Sequence, residues 1–162
     1  NYWNGQIKHL AQGNTEVVAK MIAEETAGDL FEIETVKTYP ADYYACIDEA
    51  KKELREKARP ELKRYVESLD DYDEIYLGYP NWWGTMPMPV CTFLDHYDWT
   101  GKRVLPFCTN EGSGMGVSER DLQILCKGAE LQPGLSIHGA EAAASCPTVM
   151  AWLKTERCSK DN

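Results

Sequence analysis

The sequence has no long apolar stretch, and it lacks the local clusters that build compact metal or redox sites. No run of about 18 apolar residues occurs, which argues against a membrane-spanning helix. The three histidines, His9, His96 and His138, are scattered, and none of the six cysteines forms a Cys-x-x-Cys pair. Zinc-ribbon and thioredoxin-type sites are therefore excluded, and we expect no metal.

Basic side chains are too few for a nucleic-acid-binding surface. The chain has 17 lysines and arginines against 26 aspartates and glutamates, a formal net charge of −9. Phosphate backbones require a basic footprint, so we expect no nucleic acid ligand and, instead, a protein partner with a basic surface. Because apolar residues make up 43% of the chain, a core needs no disulfides, and we expect free thiols and a cytoplasmic location.

Apolar residues and turn residues alternate along the chain in a pattern typical of an α/β domain. Helical spacing predicts helices at 15–27, 42–57, 90–97 and 118–126, and from Pro147 onward. Apolar runs and alternation predict strands at 29–36, 74–80, 102–109 and 129–139, the last interrupted at Pro133–Gly134. Strict alternation predicts a parallel sheet with helices on both faces. The length fits a single domain over residues 1–162.

Three loops carry residues that suit a ligand at the carboxyl ends of such strands. Residues 12–15 place Gly13 before a helix start, whose N–H groups can hold a phosphate, although Gly-Asn-Thr also forms ordinary turns. Residues 80–87 contain two adjacent tryptophans, which suit a planar aromatic ligand or cover a helix end or a partner. Residues 109–116 contain three glycines, which admit a ligand ring or form a surface turn, and their spacing fails the G-x-G-x-x-G dinucleotide fingerprint.

The motifs GNT, LGYPNWWGTMPMPV and PFCTNEGSGMG, followed by a terminal AWLK helix, resemble the flavodoxin-like FMN proteins. The chain looks most like small bacterial flavodoxins with a P-x-W-W-G loop. This resemblance implies a flavodoxin-like doubly wound three-layer sandwich with a five-stranded parallel sheet of order 2-1-3-4-5. The first strand would be atypical, since it would contain Lys8 and His9, and Leu10 and Gln12 stand where the family has hydroxyl side chains.

Carried over residue by residue, the resemblance implies three sets of FMN-binding residues. The phosphate set is Gly13, Asn14 and Thr15. The set on one side of the flavin ring is Pro80, Asn81, Trp82, Trp83 and Gly84, and the set on the other side is Thr109, Asn110, Gly112, Ser113, Gly114 and Gly116. No catalytic side chain is implied, because the flavin carries the chemistry.

The implied function is that of an electron-transfer protein or oxidoreductase that cycles FMN between its oxidised, semiquinone and hydroquinone states. The acidic surface, with Glu111 as a candidate neighbour of the ring, would lower the potential for the second electron. Two alternatives stay open: an FMN-dependent NAD(P)H:quinone-type reductase, and a degenerate module without FMN that acts through protein contacts. Either a monomer or a homodimer fits the sequence.

Overall fold

The computed structural model describes residues 2–3, 6–7 and 13–161. The strands are β1 (Tyr2–Trp3), β2 (Gln6–Ile7), β3 (Glu74–Pro80), β4 (Arg103–Asn110), β5 (Glu130–Leu131) and β6 (Leu135–His138). The helices are α1 (Asn14–Thr26), α2 (Tyr43–Glu56), α3 (Met88–Asp95), α4 (Ser118–Leu125) and α5 (Cys146–Lys160), with a 3-10 helix at Gly139–Ala144. Within these ranges no helix combines the length and the apolar character needed to cross a bilayer.

Strand β4 is the central strand of a parallel sheet. Strand β3 pairs with all of it except Asn110, from Glu74 opposite Arg103 to Pro80 opposite Thr109. On the other side, β5 pairs with the start of β4 and β6 pairs with its end. The break between β5 and β6 contains Pro133, which has no N–H to donate to a ladder. The predicted interruption of the last strand is thus confirmed.

Helices cover both faces of this sheet, as predicted for the α/β class. One core packs against α3 and α4, and its largest fully buried side chains are Tyr79, Met86, Leu94, Trp99 and Leu122. The other packs against α1 and α5, with Val18, Ile22, Phe107, Val149 and Leu153. Since both faces are covered, all eight residues of β4 are buried, which explains its nearly continuous apolar sequence.

The predicted strand at residues 29–36 does not join the parallel sheet, so that prediction was wrong. The segment forms one antiparallel bridge, Thr35 with Leu62, flanked by hydrogen bonds from Val36 N to Glu61 O and from Lys63 N to Glu34 O. Its implied partner is the first strand. There Ile7 pairs antiparallel with Tyr2 instead, and residues 8–12 lie outside the described residues. Backbone N–H and C=O groups need hydrogen-bond partners, and residues 61–63 supply them for residues 34–36.

The implied five-strand order is therefore confirmed only in part. Strands β3 and β4, with the split strand β5 and β6, occupy the positions of the family's strands 3, 4 and 5. Because these strands are parallel, their carboxyl ends, at Pro80, Asn110 and His138, lie at the same edge of the sheet.

In the sequence, Ser118 with Asp121 resembles a capping box, which predicts a side-chain cap at the start of α4, but the structure differs. Val117 is the N-cap residue, and no side chain caps the helix. The Ser118 hydroxyl instead donates to Met115 O (2.6 Å) and accepts from the Tyr79 hydroxyl (2.9 Å). Tyr79 and Ser118 are both fully buried. This pair therefore ties β3 to the turn before α4.

Candidate functional site

The carboxyl edge of the sheet brings together two loops and the start of a helix. The tryptophan loop (residues 81–87) follows β3, and the glycine loop (residues 111–117) follows β4. Helix α1 reaches the same edge, because the hydroxyls of Thr15 and Thr109 are 2.7 Å apart and share a hydrogen bond. A helix start, an aromatic loop and a glycine-rich loop thus surround one position.

The start of α1 has the features of an anion site. Gly13 precedes the helix in extended conformation, and no side chain caps it. The first N–H groups of a helix have no intrahelical acceptor, and they carry a partial positive charge. Thr15 adds a hydroxyl at this position. A phosphate could be held here by neutral donors alone.

The end of β6 limits this anion site on one side. A Cβ at Gly139 would lie 2.6 Å from Asn14 Nδ2 and 2.8 Å from Glu111 Oε1, so a side chain here would require Asn14 and Glu111 to shift. The other carboxylate oxygen of Glu111 is 3.9 Å from His138 Nε2. Glu111 therefore lies on the α1 side of the glycine loop, close to the anion site.

The tryptophan loop turns through an unusual backbone. Trp82 and Thr85 form an antiparallel bridge, and the two residues between them, Trp83 (φ 57°) and Gly84 (φ 89°), have left-handed conformations. Such a turn fits two positive φ values, but a bulky side chain in this region is strained. Strain of this kind concentrates at functional positions. The loop holds Trp83 47% exposed.

Both tryptophan side chains are fixed from outside the loop. Trp83 Nε1 donates to Ile47 O of α2 (2.8 Å), and Lys51 Nζ lies 4.9 Å from the Trp83 ring centre. Trp82 packs edge-on against Tyr39, with ring centres 5.6 Å apart. Sequence reasoning missed Tyr39, since an aromatic residue before a predicted helix carries no signal of its own.

Tyr39 is itself held by a buried carboxylate. Its hydroxyl donates to Glu53 Oε2 (2.8 Å), and Lys37 Nζ also bonds Glu53. Burial and the Glu53 charge raise the pKa of Tyr39 far above its ordinary value, so its hydroxyl remains a donor. Burial alone would lower the pKa of Lys37, but bonds to Glu49 and Glu53 raise it overall. Trp82 therefore contacts a fixed, neutral ring.

The glycine loop is shaped by Asn110 and by positive φ angles. Asn110 Oδ1 accepts from Gly112 N (2.9 Å), and its Nδ2 donates to Ser136 Oγ (2.8 Å). Gly112, Gly114 and Gly116 have φ values of 116°, 66° and 57°. These conformations are natural to glycine and let a backbone approach a ligand closely.

The two loops contact each other directly. Asn81 Nδ2 donates to Gly114 O (3.0 Å), and Val117 N donates to Gly84 O (2.7 Å). A Cβ at Gly116 would overlap the carbonyl of Gly84, so the backbones touch at this point. The two loops therefore form one connected wall rather than two independent flaps.

The predicted site residues differ in their exposure. Thr109 and Asn110 are buried, whereas Trp83, Gly112, Ser113 and Gly116 are exposed. The remaining eight are partly buried: Gly13, Asn14, Thr15, Pro80, Asn81, Trp82, Gly84 and Gly114. A gradient from buried strand ends to exposed loop tips is what a shallow ligand-binding edge requires.

Two other features of the described residues do not compete with this edge. A groove of about 570 Å³ runs along α2, lined by charged residues that include Lys37, Glu49, Glu53 and Arg59. Its lining is largely ion-paired, and it contains none of the predicted site residues. Over residues 13–161 no three His, Cys, Asp or Glu side chains are grouped as metal ligands would be.

Comparison with known proteins agrees with this geometry. The sequence matches the profile of the flavodoxin family over residues 7–156, which is most of the chain. The chain belongs to the flavodoxin family. The resemblance drawn from the GNT, P-x-W-W-G and glycine-loop motifs is thereby confirmed. No curated protein matches the sequence.

Solved structures show the same fold. A proposed flavoprotein from Bacteroides uniformis is 34% identical, with a TM-score of 0.78, over 90% of this flavodoxin-family chain and 93% of that chain. A second, from Bacteroides eggerthii, is 27% identical, with a TM-score of 0.77, over 90% and 92%. A flavoprotein from Lactobacillus acidophilus in complex with FMN is 24% identical, with a TM-score of 0.64, over 80% and 89%.

Proposed function

We propose that this chain binds FMN at the carboxyl edge of its sheet and serves as an electron-transfer protein or oxidoreductase. The main support is that direct hydrogen bonds connect the three predicted sets of residues. Thr15 bonds Thr109, and Asn81 bonds Gly114. When bound, FMN supplies the one- and two-electron chemistry. The protein residues then need only bind the cofactor, orient it and set its electrostatic surroundings.

The start of α1 fits the phosphate end of FMN. Gly13, Asn14 and Thr15 offer free helix N–H groups and a hydroxyl, and Asn14 adds an amide. Charge-assisted hydrogen bonds to such donors are stronger than neutral ones. The carboxylate of Glu111 opposes this attraction from the far side of Gly139. We infer moderate rather than very tight phosphate binding.

The connected wall formed by the two loops fits the flavin ring. Pro80, Trp82 and Trp83 with Gly84 would cover one side of it. Thr109, Asn110, Gly112, Ser113, Gly114 and Gly116 would border the other side. Rigid aromatic side chains contribute contact area at low entropic cost, and the indoles of this chain are already held by Ile47 and Tyr39.

The charge of the chain supports a donor of electrons at low potential. A net charge of −9 disfavours additional negative charge on the reduced ring. The same charge favours a redox partner with a basic surface. All six cysteines are free, and three of them are buried. We therefore propose one domain spanning residues 1–162 that works in a reducing, cytoplasmic setting.

Absorption spectroscopy tests the proposed cofactor. Purified protein should show flavin bands at about 370 and about 450 nm, at about one FMN per chain, either as isolated or after adding FMN. Photoreduction followed in the same spectrometer then resolves the intermediate redox states. Colourless protein that takes up no added FMN would contradict the proposal.

A module without FMN is the second candidate, and one observation favours it. Leu10 and Gln12 stand where the family has hydroxyl side chains, so the phosphate site would lack two hydroxyl donors. Failure to bind FMN, together with stable folding, would support this candidate. If FMN is bound, flavin-dependent oxidation of NAD(P)H by a quinone would separate a reductase from an electron carrier.

A further inference from the structure

We infer that Asn81 is a positioning residue that fixes the two loops against each other, and therefore the shape of the wall that they would present to the flavin ring. This inference rests on the proposed function for its ligand, although the contact itself does not. The resemblance placed Asn81 among residues that contact the cofactor. Its side-chain hydrogen bonds within the protein indicate a different role.

Both ends of the Asn81 amide are already used. Its Oδ1 accepts from Gly84 N (2.9 Å), which closes the turn that holds Trp83 in its left-handed conformation. Its Nδ2 donates to Gly114 O (3.0 Å) on the other loop. The backbone of Asn81 also donates to Thr109 O of β4 (2.9 Å). One residue thus connects the end of β4, its own loop and the opposite loop.

The Asn81 bond acts at the point where the two loops are in contact. Next to it, Val117 N donates to Gly84 O (2.7 Å), and Gly116 lies against Gly84. From below, the buried Cys108 thiol also lies 3.7 Å from Gly114 O. Burial raises the pKa of Cys108 to about 12, so this thiol stays neutral. Gly114 is therefore held by Asn81 from one side and by the core from another.

Asparagine is suited to this role because it donates and accepts at once. Aspartate in the same place could still accept from Gly84 N, but a carboxylate cannot donate to Gly114 O. Alanine loses both hydrogen bonds without adding a charge. These two substitutions therefore separate the bond between the loops from the bond within the tryptophan loop.

Thr85 offers a matched control on the same loop. Its hydroxyl donates to Asp121 Oδ2 (2.6 Å), which ties the tryptophan loop to α4 and not to the glycine loop. Thr85→Val removes one side-chain hydrogen bond of the tryptophan loop and nearly preserves the shape of the side chain. If loosening the loop in any direction weakened flavin binding, Thr85→Val would act as Asn81→Ala does.

Hydrogen exchange of the ligand-free protein tests the loop contact without any flavin. Asn81→Ala should speed exchange of the Gly84 and Val117 amides, and Asn81→Asp should speed Val117 while sparing Gly84. Thr85→Val should leave Val117 unchanged. Unchanged Val117 exchange in both Asn81 variants would overturn the inference. This result stands even if the wild-type chain binds no flavin and the proposed function fails.

Titration with riboflavin and FMN tests the effect of Asn81 on the binding of the ring. Riboflavin lacks the phosphate, so a change in the shape of the wall should weaken the binding of both ligands by the same factor. We expect Asn81→Ala to weaken both about tenfold, which corresponds to about 1.4 kcal/mol. Asn81→Asp should weaken uncharged riboflavin comparably, and Thr85→Val should weaken it by less than about twofold. Loss of FMN affinity alone, or equal effects from Thr85→Val, would overturn the role of Asn81.

Discussion

The two ends of β4 both bury polar side chains, but they satisfy them in opposite ways. At its start, Arg103 is 7% exposed and bonds the carboxylate of Glu74 (3.2 Å), together with the backbone oxygen (2.7 Å) and carboxylate of Glu156. At its end, Thr109 and Asn110 are buried with uncharged partners. A strand of eight residues thus has one ion-paired end and one neutral end.

This difference separates stability from binding. Charges at the start of β4 cancel one another inside the protein and tie α5 to the sheet, because Glu156 lies on that helix. Hydroxyls and amides at the other end hold the loops in place without placing a charge in the site. A charged ligand can therefore be accepted there, whereas a ligand at the Arg103 end would have to displace an internal partner.

Arg103→Met should produce the largest effect, and it should act on stability alone. Removing one partner leaves Glu156 buried and unpaired, which typically costs about 3–5 kcal/mol. Urea denaturation of the ligand-free protein measures this loss, and the fraction that remains folded should bind flavin as wild type does. Combining Arg103→Met with Glu156→Leu should recover part of the stability. A loss of flavin affinity in the folded protein would contradict the separation.

Thr15→Ala should produce the reverse pattern at the other end of β4. We expect FMN affinity to fall by about 1.5–3 kcal/mol, the range for hydrogen bonds to charged groups, with riboflavin affinity unchanged. Fluorescence titration with both ligands measures the difference. Thr155→Ala is the control, since that exposed hydroxyl bonds only Ala151 O within α5. Equal weakening of riboflavin would place the effect of Thr15 on the ring rather than on the phosphate.

Trp82→Leu should have a smaller effect that does not depend on the phosphate. Loss of an aromatic wall, with its edge-on contact to Tyr39, should weaken FMN and riboflavin alike by about 0.5–1.5 kcal/mol. The same titrations measure it, and Trp82→Phe should retain most of the affinity. If the affinity for FMN fell while the affinity for riboflavin stayed the same, Trp82 would not border the ring.

Glu74→Gln should have the smallest effect, visible mainly through its pH dependence. Burial alone would raise the pKa of Glu74, but Lys160 and Arg103 lower it below its ordinary value. A carboxylate whose pKa is lowered by folding stabilises the fold at pH values above its pKa in the unfolded chain. That stability is lost as pH falls through its pKa in the folded protein. The free energy of unfolding of the wild type should therefore exceed that of Glu74→Gln by less than about 1 kcal/mol at neutral pH, because Glu74 is partly exposed.

Denaturation midpoints across pH measure this difference. The stability difference should begin to shrink as pH falls through about 4.3, the ordinary pKa of glutamate, and should vanish only below the lowered pKa of folded Glu74. Flavin affinity should be the same in both at neutral pH. A stability difference between the two proteins that increased on acidification would contradict the prediction.

Local sequence patterns predicted the segments that form the parallel sheet and the helices packed against it. The apolar run 74–80 corresponds to β3 at Glu74–Pro80, and 42–57 contains α2 at Tyr43–Glu56. The prediction of a strand at residues 29–36 was wrong, because alternation of apolar and polar residues specifies which face of a strand is buried but not which strand it pairs with. Ser118 failed as a capping residue because its hydroxyl is used by Tyr79, which lies 39 positions away in sequence.

The candidate site shows the same limit. The family resemblance implied the three sets of residues, and hydrogen bonds in the structure connect them at one edge of the sheet. The resemblance did not identify Tyr39, whose contact with Trp82 joins two residues that are 43 positions apart in sequence. Nor did it separate Asn81 from its neighbours, since a cross-loop hydrogen bond leaves no periodicity in the sequence.

The backbone contact between Gly84 and Gly116 limits how this site can be redesigned. Any side chain at position 116 would collide with the carbonyl of Gly84. A mutational library that randomises both loops would therefore lose most members at this one position. Libraries that keep Gly84 and Gly116 and vary the exposed Ser113 and Trp83 would keep the loop contact and change what the loops present to a ligand or partner.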